Sequence, residues 1–235
     1  MSLPAHDIVD VRLSAAIDLG GCPICVVRAR SESAMLDSII AEHVLDIPFR
    51  GELERTKAFC RRHLRELVDA DRRGSGGILG SAILYGAMLE RRLEVLRGAV
   101  GGRGRGQRGK LAAARKRPPC VACEQGAVGV ATALGRLVQR ADDAEWAEAT
   151  AAAPFCLDDL IELWSEAGDA PAFAPIAGRQ LARLEDLRAR LEGFVDHSAH
   201  DRRDGLTDPE RHAADEAARV LGGTADVPPE VRRRR

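Results

Sequence analysis

Residues 22–47 read CPICVVRARSESAMLDSIIAEHVLDI, and two features of this stretch decide the fold. Ile24, Val27, Leu36, Ile39, Ile40, Val44 and Ile47 recur at spacings near three and four, the period of a helix that buries one face. The same stretch opens on Cys22-Pro-Ile-Cys25, a C-x2-C pair placed directly ahead of the apolar stripe. The helical period continues outward through Leu64, Leu67 and Val68, then Tyr85, Leu89, Leu93 and Leu96, then Val130, Leu134, Leu137 and Val138. Leu157, Leu160, Ile161 and Trp164 form a further stripe, and Leu181, Leu184, Leu187, Leu191 and Phe194 a longer one. A last helix is bracketed by a capping box at Thr207 and Glu210, by Pro209 in its first turn and by Gly222-Gly223 at its end. No segment alternates convincingly as a strand. With 3% aromatic residues the core must be built from Leu, Ile, Val and Ala, which helix-on-helix packing accepts. The expected class is all-α.

The cysteine motifs occur twice. Cys22-x2-Cys25 is followed by Phe59-Cys60-Arg-Arg-His63, and Cys120-x2-Cys123 by Phe155-Cys156-Leu-Asp-Asp159, so all six cysteines fall into one repeated pattern. Repetition at this period predicts an internal duplication. The expected organisation is a helical half over residues 1–97, a linker over 98–119, a second half over 120–223 and a disordered tail over 224–235. The linker contains GAVGGRGRGQRGK, a Gly/Arg-rich run with nothing to bury, and it is expected to be disordered.

The residue types at these positions suit a metal. A C-x2-C lets two thiolates reach one ion from a single turn, and Cys60 with His63, three apart on a helix, presents a third sulfur and an imidazole from one face. Cys22, Cys25, Cys60 and His63 therefore read as a Cys3His zinc site closed by four protein ligands, structural rather than catalytic. Such a site contributes on the order of 10 kcal/mol to folding. Cys120, Cys123, Cys156 and Asp159 read as a second, Cys3Asp site, in which aspartate stands where the first half has histidine and Asp158 is a less well-aligned candidate. A redox dithiol and an inert buried core compete with metal at the first site, and loss of metal competes with Cys3Asp ligation at the second. Both C-x2-C pairs precede apolar stripes, which places them at helix N-termini, where the positive dipole end favours thiolate.

Charge and motif content narrow the classes. The chain has 35 basic and 36 acidic residues among 235. Eleven of the basic residues lie in the linker and in the terminal VRRRR, leaving 24 bases against 36 acids elsewhere. Nucleic-acid binding is thus disfavoured for the core, since phosphate contacts need basic surface, and the basic linker is the one segment suited to it. The partner expected is a macromolecule, protein rather than nucleic acid. The longest apolar stretch, Ile78 to Leu89, is interrupted by Gly80, Ser81 and Gly86 and is too short to cross a bilayer, so it reads as a buried helix. MSLPAHDIVD carries no secretory-signal pattern, and a reducing cytoplasm is the expectation, in which paired cysteines favour metal or redox chemistry over disulfides. His197, His200 and Asp201, with Arg202 and Arg203, could ligate or exchange protons, although cations near a helix end also serve the dipole. No nucleophile elbow or P-loop is present, and Gly102-Arg-Gly104-Arg-Gly106 lacks the strand and spacing of a phosphate loop.

In combination, CPIC, FCRRH, GGILGSAILYG, the second C-x2-C, FC-x2-[H or D]-L and HDRR before a final helix resemble a bacterial family catalogued as a domain of unknown function. The resemblance spans roughly Cys22 to Gly223. It implies an all-helical fold and metal ligands at Cys22, Cys25, Cys60, His63, Cys120, Cys123 and Cys156, and it implies no activity. Asp159 departs from the histidine expected there. Two functional readings follow: a non-enzymatic, zinc-stabilised helical protein that binds another macromolecule, or a thiol redox protein or zinc-thiolate redox sensor. The closed ligand sets, with no catalytic group beside them, favour the first.

Overall fold

The computed structural model describes residues 3–100, 105–199 and 205–223, and among them the protein is all-α, with two isolated β-bridges and no strand. Eleven α-helices follow in order: α1 Ile8–Ile17, α2 Pro23–Ser38, α3 Ile47–Glu52, α4 Arg61–Ser75, α5 Leu79–Val100, α6 Arg105–Arg115, α7 Val121–Gln139, α8 Ala144–Ala152, α9 Leu157–Ala167, α10 Ala174–Ala199 and α11 Asp208–Gly222. A π-helical turn, Ile39–His43, continues α2, and a 3-10 turn, Pro171–Phe173, leads into α10. Short polar caps start several of them. Asp7 accepts from the Val9 and Asp10 backbone N–H groups at the head of α1, and Asp46 from that of Phe49 at α3, meeting donors that a helix start leaves free. The capping box of Thr207 and Glu210 is formed, Pro209 lies in the first turn of α11, and Gly223 ends that helix at φ 68°.

The chain forms two compact units, one of Met1–Ala29 with Gly129–Arg235 and one of Arg30–Val128. This division differs from the consecutive halves 1–97 and 120–223 suggested by the repeat. The chain changes unit inside α2 and again inside α7, so the boundaries fall within continuous helices rather than at the Gly/Arg-rich segment. That segment also departs from expectation, because Arg105–Arg115 is the helix α6, which packs on α5. Gln107, Arg108, Lys110, Leu111 and the run Ala112 to Ala114 are good helix formers, and locally they outweigh Gly106 and Gly109. The remaining Gly/Arg residues 101–104 and the tail 224–235 lie outside the described residues.

In the unit of Met1–Ala29 and Gly129–Arg235, Trp146 and Phe155 are buried with Leu13, Ile24, Leu137, Leu160 and Leu163. The Trp146 indole N–H donates to the Pro4 carbonyl at 2.9 Å. Buried Gln180 donates from α10 to the carbonyls of Thr150, Ala151 and Ala153, groups that the end of α8 leaves without helical partners. In the unit of Arg30–Val128, Phe59 packs with Leu36, Ile39, Leu53, Leu67 and Leu84. Buried Asp71 accepts from the Ser81 N–H at 2.7 Å and the Ser81 hydroxyl at 2.9 Å, capping α5. A Cβ on Gly80 would stand 3.1 Å from Val44 and 3.2 Å from Asp71, so glycine permits this close approach. The expected buried helix from Ile78 is buried on one side only: Ser81, Leu84 and Met88 face inward while Leu79 and Leu89 are exposed. No helix of the described residues is long and apolar enough to cross a membrane.

Candidate metal centres

Helix starts position every candidate ligand. Cys22 and Cys120 immediately precede α2 and α7, Cys25 and Cys123 lie in the first turns, Cys60 and Cys156 are the N-cap residues of α4 and α9, and His63 and Asp159 follow in those first turns. Neither N-cap sulfur is spent on capping its own helix.

The grouping corrects the one expected from chain order. Cys60 and His63 meet Cys120 and Cys123, while Cys22 and Cys25 meet Cys156 and Asp159. Each group combines the C-x2-C of one motif pair with the C-x2-[H or D] of the other, and in each the four ligand atoms lie within 4.8 Å of one another. In the unit of Arg30–Val128 a backbone ladder explains the meeting. The Ala58 N–H donates to the Pro119 carbonyl at 3.0 Å and the Val121 N–H to the Ala58 carbonyl at 3.1 Å, which sets the segment entering α4 beside the one entering α7.

In the His63 cluster, His63 Nδ1 lies 3.3 Å from Cys60 Sγ, 3.2 Å from Cys120 Sγ and 3.4 Å from Cys123 Sγ, and Cys123 Sγ is 3.9 Å from Cys60 Sγ. In the Asp159 cluster, Asp159 Oδ2 lies 3.2 Å from Cys22 Sγ, 3.1 Å from Cys25 Sγ and 3.0 Å from Cys156 Sγ, and Cys156 Sγ is 3.8 Å from both other sulfurs. A tetrahedral ion bound at about 2.3 Å by sulfur has S···S edges of about 3.8 Å. Both groups therefore have the dimensions of a closed four-coordinate site.

The electrostatics of the two groups diverge. Burial works to lower His63, but bonding to Cys120 and Glu32 prevails and raises it to about 9. Burial likewise opposes ionisation of Cys120, and the His63 contact overrides it, bringing that thiol down to about 6. Cys123 is pushed up to about 12 by burial and by the neighbouring Cys120. In the other group every shift runs against negative charge: Cys22 is raised by its bonds to Cys156 and Cys25, and Asp159 is raised by burial although Cys156 and Arg28 oppose it. Four acidic groups crowded into a buried space resist ionising together. A cation bound among them would reverse that resistance.

Several participants are not among the sequence candidates. Glu32 is buried, its Oε2 2.7 Å from Arg62 Nη2 and 3.4 Å from His63 Nε2. Arg28 Nη2 donates to Asp159 Oδ1 at 2.8 Å. Gly126 leaves room for Glu32, since a Cβ there would stand 2.7 Å from Glu32 Cγ, and Gly223 ends α11 against Cys25 and Cys156. The signal for Arg28 and Glu32 was the gap in the α2 stripe, because residues 24, 28, 32 and 36 form one row at helical spacing. Asp158 is not in either cluster. His197 lies 3.4 Å from Glu210, in keeping with the end of α10, while His200, Asp201, Arg202 and Arg203 lie outside the described residues.

The molecule is thus an all-helical protein with two four-residue clusters able to hold metal ions. Residues 6–167, which include all eight clustered residues, match a family described as a family of unknown function (DUF6062), and the chain belongs to that family. No curated protein and no solved structure matches the chain.

Proposed function

We propose that this protein is a non-enzymatic, zinc-stabilised helical protein that binds another macromolecule, and that both clusters are structural zinc sites. The observation that carries the reading is the convergence of Cys3His and Cys3Asp sets, each from two helix N-termini at tetrahedral spacing. Thiolate-rich, four-coordinate sets suit zinc, and with all four positions supplied by the protein none stays open for a substrate. The duplication reading fits the exchange of partners, each site joining the C-x2-C of one repeat to the C-x2-[H or D] of the other. The partner expected is protein, because outside the two basic segments acids outnumber bases 36 to 24.

Elemental analysis of natively purified, tag-free protein tests the reading. Two zinc ions per chain are expected, falling to one in Cys60→Ser and to one in Cys156→Ser. Absence of zinc together with oxidised cysteines would instead support the thiol redox reading, which the exposure of Cys123 and the lowered Cys120 thiol favour. Under that alternative Cys156→Ser would leave the reactivity of Cys120 and Cys123 unchanged.

A further inference from the structure

His63 and Asp159 occupy the same position in their clusters, and each is faced from behind by a residue of α2 with opposite chemistry. His63 turns Nδ1 toward the three sulfurs, and its other ring nitrogen, Nε2, lies 3.4 Å from Glu32 Oε2, the nearer of two carboxylates there, with Glu66 Oε2 at 3.7 Å. Asp159 turns Oδ2 toward the three sulfurs, and its other oxygen accepts from Arg28 Nη2 at 2.8 Å. An imidazole bound to metal through Nδ1 carries its proton on Nε2 and needs an acceptor there. A carboxylate bound through one oxygen keeps lone pairs on the other and needs a donor. Aspartate also adds a negative charge that histidine does not, to a group that is buried throughout, and the guanidinium offsets it.

Local space follows the same division. Arg28 stands three residues after Cys25, and the corresponding position after Cys123 is Gly126. A Cβ on Gly126 would collide with Glu32 at 2.7 Å. The position that supplies the donor behind Asp159 is thus emptied in the other cluster, where the acceptor passes through it.

We infer that Arg28 and Glu32 are positioning residues that determine which fourth ligand each site uses, and that Arg28 makes Asp159 a full, one-oxygen zinc ligand. The Asp159 cluster is then a zinc site of its own kind, not a histidine site that has lost a ligand. This rests on the zinc reading above, and a bidentate aspartate is incompatible with it because Oδ1 is committed to Arg28.

The test uses the full chain and reads zinc per chain, zinc transfer to a chromophoric chelator, and the absorption of the cobalt-substituted protein. Arg28→Met is expected to weaken retention at the Asp159 cluster by about 10- to 100-fold while the His63 cluster keeps its ion. Asp159→His alone, which sets an imidazole N–H against a guanidinium, is expected to fare no better. Asp159→His combined with Arg28→Glu should recover at least about tenfold over Asp159→His, with a cobalt spectrum approaching that of the His63 site. Retention within about twofold of wild type in Arg28→Met would overturn the inference, as would a double variant no better than the sum of its singles. Should the double variant not fold, Arg28→Met decides alone. Two zinc ions in the wild type with unchanged retention in Arg28→Met would sink this inference alone; one zinc, held by the His63 cluster, would sink the second zinc site and this inference with it, and no zinc would sink the whole reading beneath it.

Discussion

Cys22, Cys25, Cys156 and Asp159 are all buried, whereas in the other cluster Cys123 is exposed and Cys60 and Cys120 are half-buried. The donor spacing is nearly the same in both, so access is set separately from geometry. Gly223, at the end of α11, lies against the Asp159 cluster, where an added Cβ would stand 3.4 Å from Cys25 Sγ. The Asp159 cluster is consequently tied to the integrity of its unit, while the His63 cluster meets solvent directly.

Chelation should therefore produce the largest effect and separate the two sites. On the zinc reading, each ion supplies on the order of 10 kcal/mol of apparent folding free energy, comparable to what a whole domain retains. Removing both ions is expected to abolish cooperative thermal unfolding, read by circular dichroism. The first ion should leave in a fast phase from the His63 cluster and the second only as its unit opens. Alkylation followed by mass spectrometry should mark Cys123 first, with Cys22, Cys25 and Cys156 at least about tenfold slower, since buried thiols react through local opening. One release phase and equal labelling rates would erase the distinction.

The helices and the residues that cluster were legible in the sequence, but their pairing was not. The apolar rows at helical period and the N-terminal placement of each C-x2-C are local properties. Chain order suggested joining Cys25 to Cys60, and the structure instead joins His63 to Cys120 and Cys22 to Cys156. Doubling a loop costs only about 0.6 kcal/mol, so proximity along the chain is a weak guide once helices pack. The same limit hid Gly223, legible as a helix stop but not as a neighbour of Cys25. Arg28 and Glu32 were visible as charges in an apolar row, although their partners were not. The segment 105–115 misled because its arginines and glycines suggested disorder, while Leu111 and the alanines beside it set its helical propensity.

Two glycines sharpen the contrast at an intermediate scale. Gly126→Ala places a methyl 2.7 Å from Glu32 Cγ and should push that carboxylate off His63, costing about 1–3 kcal/mol and loosening zinc in the His63 cluster alone. Gly223→Ala combines a φ of 68° with contact at Cys25, and should cost about 1–2 kcal/mol with its effect on zinc confined to the Asp159 cluster. Stability by chemical denaturation and zinc retention, measured on both variants, check this. Effects appearing at the opposite cluster would show that the two sites are not independently built.

Two buried carboxylates extend the comparison beyond the two clusters, with the smallest expected effects. Asp10 is held by Arg136 at 2.9 Å and by Arg140, Asp71 by serine hydroxyls and a backbone N–H. Burial alone would raise both, but hydrogen bonding to the His6 N–H and Arg140 lowers Asp10, and bonding to Ser81 lowers Asp71. A folded-state pKa below the unfolded value means that the stabilisation is present above about pH 4 and is lost as pH falls through the folded value. Asp10→Asn should cost about 1–3 kcal/mol near neutrality, less than a fully sealed ion pair because both arginines reach solvent. Asp71→Asn, which keeps an acceptor oxygen for Ser81, should cost about 1 kcal/mol. Both deficits should vanish on acidification, when wild-type carboxyls protonate as well. Only the Asp10 deficit should shrink in high salt, because it depends on cations at the edge of solvent rather than on buried dipoles. Equal salt responses would show that Asp10 is held chiefly by the His6 N–H, and that its two arginines contribute little.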